Sequence, residues 1–147
     1  MLKLVDLCLK ENAMTRKDAR ENCFKLLFEY EVQKITAEEA LELFYELTEE
    51  IDGQSDYIDN TVKTAIENIE EIDAVIEKYS NGWKISRLAK VTLAVLRVAV
   101  CELLYADDIA DSIAINEAVE IAKKYNDEKS AKFVNGVLSS VYKSKEQ

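Results

Sequence analysis

Histidine and proline are missing from this 147-residue sequence, which holds only three glycines and three cysteines. Without histidine, the usual catalytic triads and zinc sites cannot form. The glycines make no glycine-rich phosphate loop. Cys8, Cys23 and Cys101 are odd in number, widely spaced and include no CxxC pair, which indicates reduced thiols in a cytoplasmic protein. We expect no catalytic residue, no metal ion and no cofactor, although chemistry by carboxylates alone stays open.

Long apolar runs are also missing. No stretch reaches the ~18 apolar residues that a membrane-spanning helix needs. Lys3, Asp6 and Lys10 interrupt the first ten residues, which makes them a poor signal peptide. Hydrophobic residues make up 48% of the chain, which excludes a disordered protein. The length suits one domain, and the abundance of Ala, Leu, Glu and Lys favours an all-α fold.

The net charge of -10 is distributed unevenly along the chain. Residues 36–80 hold 14 acidic and 2 basic residues, whereas the remaining segments hold 15 acidic and 17 basic ones. A protein this acidic is ordinarily a poor nucleic-acid binder, but here the two ends of the chain are free to form a basic face. Such an uneven field can steer RNA to one side of the molecule.

Helical periodicity continues from Thr15 towards the C-terminus, without a strand pattern or an internal repeat. Thr15 with Asp18 and Thr36 with Glu39 are capping-box patterns that start the first two helices. The almost wholly apolar run 91–105 is predicted to be the central, most buried helix. This pattern predicts a single compact all-α domain of about seven helices. The predicted helices span about 15–34, 36–53, 56–79, a short segment after Trp83, 91–105, 112–125 and 128–143.

Four segments of the sequence resemble the NusB family of bacterial transcription antitermination factors. They are TRKDAR at 15–20, the run WKISRL…VLRVAVCELL at 83–104, AINEAVEIAK at 114–123 and KFVNGVL at 132–138. The last two segments at this separation are specific, whereas an arginine-rich start alone is a weak signal. The resemblance covers about Thr15 to Val141 and implies a NusB-like fold of two packed helical sub-bundles.

Residues 1–13 match nothing in this resemblance. We therefore expect an N-terminal extension of residues 1–13 and a NusB-like RNA-binding helical domain of residues 14–147. Met14 directly precedes the family-like start and is a candidate initiator, in which case the upstream residues come from a wrongly assigned start. The alternative is a short extra helix, because Leu2, Val5 and Leu9 fall on one helical face.

Three cations, Arg16, Lys17 and Arg20, lie at the N-terminal end of the first predicted helix. Cations in a first turn oppose the helix dipole by about 0.3–1 kcal/mol each, so local stability does not favour them. A phosphate partner would favour both the charges and the free N–H groups of the helix end. The alternative is a solvated face with ion pairs to Asp18 and Glu21. The resemblance implies RNA contact, since NusB proteins carry an arginine-rich RNA-binding motif here, which Asp18 interrupts in this chain.

Phe133 lies at the edge of the apolar stripe of the last predicted helix, beside Lys129, Lys132 and Gly136. An aromatic ring flanked by lysines suits single-stranded RNA, because the ring stacks on a base while the ammonium groups meet phosphates. Gly136 costs a helix about 1 kcal/mol relative to Ala, and it would let a backbone approach closely. The alternative is that Phe133 is core and that Gly136 seats a neighbouring helix. The resemblance implies the RNA role, because this helix of the family lines the RNA surface.

Other polar and aromatic residues have mainly structural interpretations. The stripe Phe24–Phe28–Val32 on the first helix is more often core, but the family binds the ribosomal protein NusE through a helical face, and Phe28 is the predicted contact. Five polar residues near apolar stretches are expected to form a buried hydrogen-bonded network that orients the helices. These five are Arg97, Glu102, Asn116, Glu117 and Asn135.

The resemblance implies a protein that binds boxA-type leader RNA together with NusE. The pair would help the RNA polymerase elongation complex to read through terminators in ribosomal RNA operons. The first alternative is a helical module associated with a ribosomal-RNA cytosine methyltransferase, because the same domain occurs fused to such enzymes. The second alternative is a homodimer, since family members differ in being monomers or dimers. In the RNA-binding case, both ends of the chain are expected to meet on one basic face.

Overall fold

The computed structural model describes residues 14–48 and 53–145, and every regular element within these ranges is helical. The predicted all-α fold is therefore confirmed. The extension predicted for residues 1–13 lies outside the described residues. Among the described residues, no helix combines the length and the hydropathy that spanning a bilayer requires. The described elements are α1 (Arg16–Gln33), α2 (Ala37–Leu47), α3 (Ser55–Glu67), α4 (Ile69–Lys78), a 3-10 turn (Ile85–Arg87), α5 (Lys90–Tyr105), α6 (Asp111–Tyr125) and α7 (Glu128–Lys145).

Local sequence starts α1 and α2 as predicted. Thr15 Oγ1 accepts a hydrogen bond from the Asp18 N–H at 3.1 Å, and Asp18 Oδ2 accepts one from the Thr15 N–H at 3.1 Å. Thr36 and Glu39 form the same reciprocal pair, at 3.1 and 3.0 Å. Each capping box satisfies N–H groups that a helix start leaves without a partner. Helix capping thus explains why an acidic residue interrupts the basic segment at 16–20.

The helix predicted over 56–79 is two helices, α3 and α4, so this prediction was wrong. The break lies at Asn68, whose side-chain Nδ2 donates to the Thr64 carbonyl oxygen at 2.8 Å. An asparagine side chain competes for the backbone groups that helix hydrogen bonds use. The short helix expected after Trp83 is the 3-10 turn, and the second helix ends at Leu47, earlier than expected.

Helix α5 forms the centre of the molecule, as its apolar sequence predicted. All residues from 92 to 103 are buried, and the helix packs against α1, α3, α4, α6 and α7. Helices α6 and α7 pack on each other and on α5, whereas α2, α3 and α4 contact one another in succession. The two groups of helices therefore meet through α5, in agreement with the predicted pair of sub-bundles.

The expected buried polar network is only partly present. Arg97 of α5 is buried and donates to Asp73 of α4 at 2.9 and 2.7 Å and to Glu31 of α1 at 2.8 Å. Glu102 is also buried. Asn116 and Asn135, however, are exposed to solvent, so placing them in a buried network was wrong. An asparagine among apolar neighbours in sequence can still face outward, because the buried residues of α6 and of α7 form one arc on each helix and the asparagine lies outside that arc.

Candidate RNA-binding surface

Two of the three cations predicted on α1 are accessible. Arg16 is exposed, its Nε donates to Gln54 Oε1 at 2.9 Å, and its guanidinium carbon lies 4.2 Å from the centre of the Tyr57 ring. The side chain of Lys17 is 68% exposed. Stacking on an aromatic face holds a guanidinium in place without removing its charge. The α1 end thus presents to solvent one cation that stacks on a ring and one cation that pairs loosely with Glu117, at 3.6 Å.

Arg20, the third predicted cation, is buried instead. Its Nε lies 2.8 Å from Glu102 Oε1 and its Nη2 lies 3.0 Å from Glu102 Oε2. The hydroxyl group of Tyr57 donates to the same carboxylate at 3.0 Å. Burial, together with the charge of Glu102, raises the pKa of Tyr57 far above its usual value, so the hydroxyl remains a donor at neutral pH. Arg20 therefore links the start of α1 to the core.

Helix α6 lies beside the first turns of α1. Lys124 Nζ is 3.0 Å from both carboxylate oxygens of Glu21, and the Tyr125 hydroxyl donates to Glu21 Oε2 at 2.6 Å. The rings of Phe24 and Tyr125 are 5.1 Å apart between centroids. Sequence reasoning missed Lys124, whose only local signal is its place in the last turn of α6, where cations favour the helix dipole.

The start of α7 carries the remaining predicted RNA contacts. Asp127 Oδ1 accepts a hydrogen bond from the Ser130 N–H at 2.7 Å, and this bond lowers the pKa of Asp127. Lys129 and Lys132 are exposed, with no ion-pair partner within residues 14–48 and 53–145. Phe133 is half-buried and packs against the core. Part of its ring surface thus stays accessible between two lysines.

Gly136 occupies the solvent side of α7. It is exposed, and apart from its chain neighbours and the adjacent backbone of α7, no heavy atom of the described residues lies within 4 Å of the position that a Cβ would take. Gly136 therefore does not seat a neighbouring helix, which was the alternative interpretation of this residue. Because it follows Lys132 by four positions, it lies one turn along the same helical face.

The two predicted halves of the surface are connected through α6. Lys145 at the end of α7 pairs with Asp111 at the start of α6, at 3.0 Å, so the two helices run antiparallel. The start of α7 consequently lies near the C-terminal end of α6, where Lys124 contacts Glu21 of α1. The start of α1 and the start of α7 thus both border α6. That they bind RNA as one basic face stays a prediction.

The aromatic residue predicted to contact NusE lies in the core. Phe28 is 4% exposed, whereas Val32, one turn further along the same stripe, is 41% exposed. The contact at Phe28 stays a prediction, and it requires the ring to become accessible. Val32 is the member of the stripe that a partner can reach without rearrangement.

No metal site or reactive thiol is found in the described part of the chain. It contains no group of three or more His, Cys, Asp or Glu side chains that could hold a metal ion. Cys23 and Cys101 are free and buried, and burial raises the pKa of Cys101 to about 12. At neutral pH this thiol is protonated and behaves as a small apolar side chain.

Comparison with known proteins identifies the family. The chain matches the model of the NusB family over residues 17–143. A transcription antitermination protein NusB from Acetivibrio thermocellus is 46% identical over 132 residues, which cover 90% of this chain and 91% of the relative. Its counterpart from Agathobacter rectalis is 48% identical over 128 residues, covering 86% and 98%.

Solved structures agree with the sequence matches. NusB from T. maritima superposes with a TM-score of 0.80 at 34% identity, covering 90% of this chain and 93% of that one. The crystal structure of antitermination factors NusB and NusE in complex with dsRNA contains a chain with a TM-score of 0.79 at 36% identity, covering 88% and 96%. A family match across most of the sequence, with relatives of this identity and coverage, shows that the chain belongs to the NusB family.

Proposed function

We propose that this chain is an RNA-binding transcription antitermination factor that acts together with NusE. The proposal rests on its likeness, in fold and at 36% identity, to a protein solved in complex with NusE and dsRNA. The relatives from Acetivibrio thermocellus and Agathobacter rectalis are both transcription antitermination proteins. The RNA is proposed to be a boxA-type leader of ribosomal RNA operons, and the final partner is the RNA polymerase elongation complex.

In the proposed complex, the accessible cations and the half-buried Phe133 ring contact different parts of the RNA. Arg16 and Lys17 meet phosphates at the start of α1, and Lys129 and Lys132 meet phosphates at the start of α7. Phe133 stacks on an unpaired base, which is worth about 1–3 kcal/mol. Because stacking needs an open base, this assignment favours a single-stranded segment, whereas the solved relative was crystallised with dsRNA.

Arg20 and the stripe Phe24–Phe28–Val32 have other roles in the proposed function. The buried pair with Glu102 directs the charge of Arg20 inward, so Arg20 orients the helix start that presents Arg16 and Lys17. For NusE, the stripe ending at exposed Val32 is the proposed docking face. Phe28 joins that contact when the surface opens.

Neither the RNA-binding surface nor the NusE-binding surface needs to bind its partner tightly. Two modest surfaces, one for RNA and one for NusE, combine into a composite site whose affinity exceeds that of either alone. The role requires no catalysis by this chain. A homodimer would then be a storage form, and RNA would dissociate it.

A binding titration tests the proposal. The protein is titrated with boxA-type RNA, with a scrambled RNA of equal length and with the corresponding duplex, each with and without NusE. We expect boxA-type RNA to bind more tightly than the scrambled sequence, and NusE to increase that difference. Equal affinity for both sequences, unchanged by NusE, would contradict the proposed function.

A further inference from the structure

Glu117 of α6 lies between two of the cations on α1. Its Oε2 is 3.6 Å from Lys17 Nζ, and its Oε1 is 3.7 Å from Arg20 Nη1. Its side chain is 21% exposed, so solvent and solutes can reach it. Both distances exceed the length of a strong charge-assisted hydrogen bond, which is about 2.7–2.9 Å. Glu117 therefore attracts both cations without holding either tightly.

A second ion pair in the same cleft is held much more firmly. Glu21 is 9% exposed and receives Lys124 at 3.0 Å on both oxygens, as well as the Tyr125 hydroxyl. An anion that recruited Lys124 would have to disrupt this set of hydrogen bonds, whereas Lys17 only has to leave a loosely held partner. The cleft between α1 and α6, of about 130 Å³, thus contains one fixed pair and one exchangeable pair.

We propose that Glu117 limits the RNA affinity of this chain by competing with an RNA phosphate for Lys17. In the free protein its carboxylate takes the place beside Lys17 that a phosphate takes in the complex. Exposed ion pairs are weak, so a phosphate displaces Glu117 at small cost. The inference rests on the proposed function. The proposed RNA contacts promote binding, whereas Glu117 opposes it.

The first test is to neutralise Glu117 without changing its shape. Glu117→Gln should bind RNA about two- to five-fold more tightly, which is the range expected for loss of one exposed ion pair. The gain should be similar for boxA-type and scrambled RNA, because phosphates carry no sequence information. The slope of log K against log salt concentration should steepen by up to about 0.7, one phosphate contact on a single strand.

Glu120→Gln is the matched control. Glu120 lies one turn further along α6, is 59% exposed and pairs only loosely with Lys123, at 3.9 Å. The substitution changes the net charge by the same amount, but it frees no cation of the α1 end. We expect its effect on RNA affinity to be much smaller than that of Glu117→Gln. An equal increase in RNA affinity for both variants would reflect a general change in the electrostatic field of the protein and would overturn the inference.

A double-mutant cycle separates competition from a structural effect. In a Lys17→Gln background, Glu117→Gln should no longer tighten RNA binding, because the cation that it would release is absent. A gain that persists without Lys17 would overturn the proposed competition. Wild-type protein that binds RNA with an affinity unchanged by Glu117→Gln would overturn this inference alone, whereas wild-type protein that binds no RNA would contradict the proposed function as well.

Discussion

Arg20 of α1 donates two hydrogen bonds to the carboxylate of Glu102 on α5, at 2.8 and 3.0 Å, across 82 positions of sequence. The two side chains are 5% and 1% exposed. This buried pair ties the helix start that carries Arg16 and Lys17 to the most buried helix of the fold. The geometry of the candidate RNA surface therefore depends on the core.

Glu102→Gln should strongly destabilise the fold. Breaking a buried ion pair by removing one partner typically costs about 3–5 kcal/mol, because the remaining charge is left buried without compensation. The free energy of unfolding, measured by urea denaturation, checks this. Glu120→Gln, an exposed change of the same type, should leave stability within about 0.5 kcal/mol. A comparably small loss in Glu102→Gln would contradict the proposed importance of the pair.

Removal of the exposed cations on α1 should weaken RNA binding through electrostatics. Arg16→Gln and Lys17→Gln should each lower affinity and reduce the magnitude of the salt slope by about 0.7 on single-stranded RNA. Titrations at several salt concentrations measure both effects. Variants at Arg20 are unsuitable here, because loss of its buried pair would change stability at the same time. If both variants keep the affinity and the salt slope of the wild type, the start of α1 is not part of the RNA-binding surface.

Phe133→Ala should weaken RNA binding in a different way. Loss of one base-stacking contact costs about 1–3 kcal/mol and changes the salt slope little, because no charge is removed. The ring also packs against the core, so stability is measured in parallel to separate unfolding from lost stacking. Phe133→Tyr keeps the ring and should retain most of the affinity. An alanine variant that binds like the wild type would exclude stacking at this position.

Gly136→Ala should change stability and RNA binding in opposite directions. Apart from its chain neighbours and the adjacent backbone of α7, the added methyl group meets no heavy atom of the described residues within 4 Å. Alanine is favoured over glycine in a helix by about 0.5–1 kcal/mol. The melting temperature should therefore rise. RNA affinity should fall if a backbone passes over this position. A stabilised variant with unchanged affinity would show that the RNA path avoids Gly136.

The hydrogen bonds from Arg97 to Asp73 and Glu31 should make the free energy of unfolding fall as the pH becomes acidic. Burial alone would raise the pKa of Glu31, but the hydrogen bond and charge of Arg97 lower it below the usual 4.5. Its contribution is therefore complete above the unfolded-state pKa and is lost as pH falls through the lower pKa of the folded state. Glu31→Gln should cost about 1.5–3 kcal/mol near neutral pH. Urea denaturation between about pH 6 and 3 should show a shallower acid decline in this variant than in wild type.

The exposed acid Glu38 on α2 offers a control for the pH experiment. Glu38→Gln removes the same charge but no hydrogen-bond acceptor of Arg97, since those acceptors are Asp73 and Glu31. This variant should therefore keep the acid decline of the wild type. A decline equally shallow in both variants would attribute the effect to net charge instead of the network.

Local patterns were sufficient for much of the fold. The capping boxes at Thr15 and Thr36 involve residues three positions apart, so the sequence contains both partners of each hydrogen bond. The apolar run of α5 likewise requires burial on all sides, whatever surrounds it. The break at Asn68 was missed because the apolar stripe of α3 continues in phase into α4, and only the asparagine side chain distinguishes the two helices.

The helical class, the capped starts of α1 and α2, the central helix and the family signature could all be predicted from the sequence, because they depend on neighbours in the chain. Which polar residues face solvent depends instead on how the helices pack. Arg16 and Arg20 are four positions apart in one basic segment, yet one stacks on Tyr57 in the open and the other is buried against Glu102. Their difference depends on carboxylates and rings brought from α3 and α5, and such long-range contacts leave no periodic signal in the sequence around the cation.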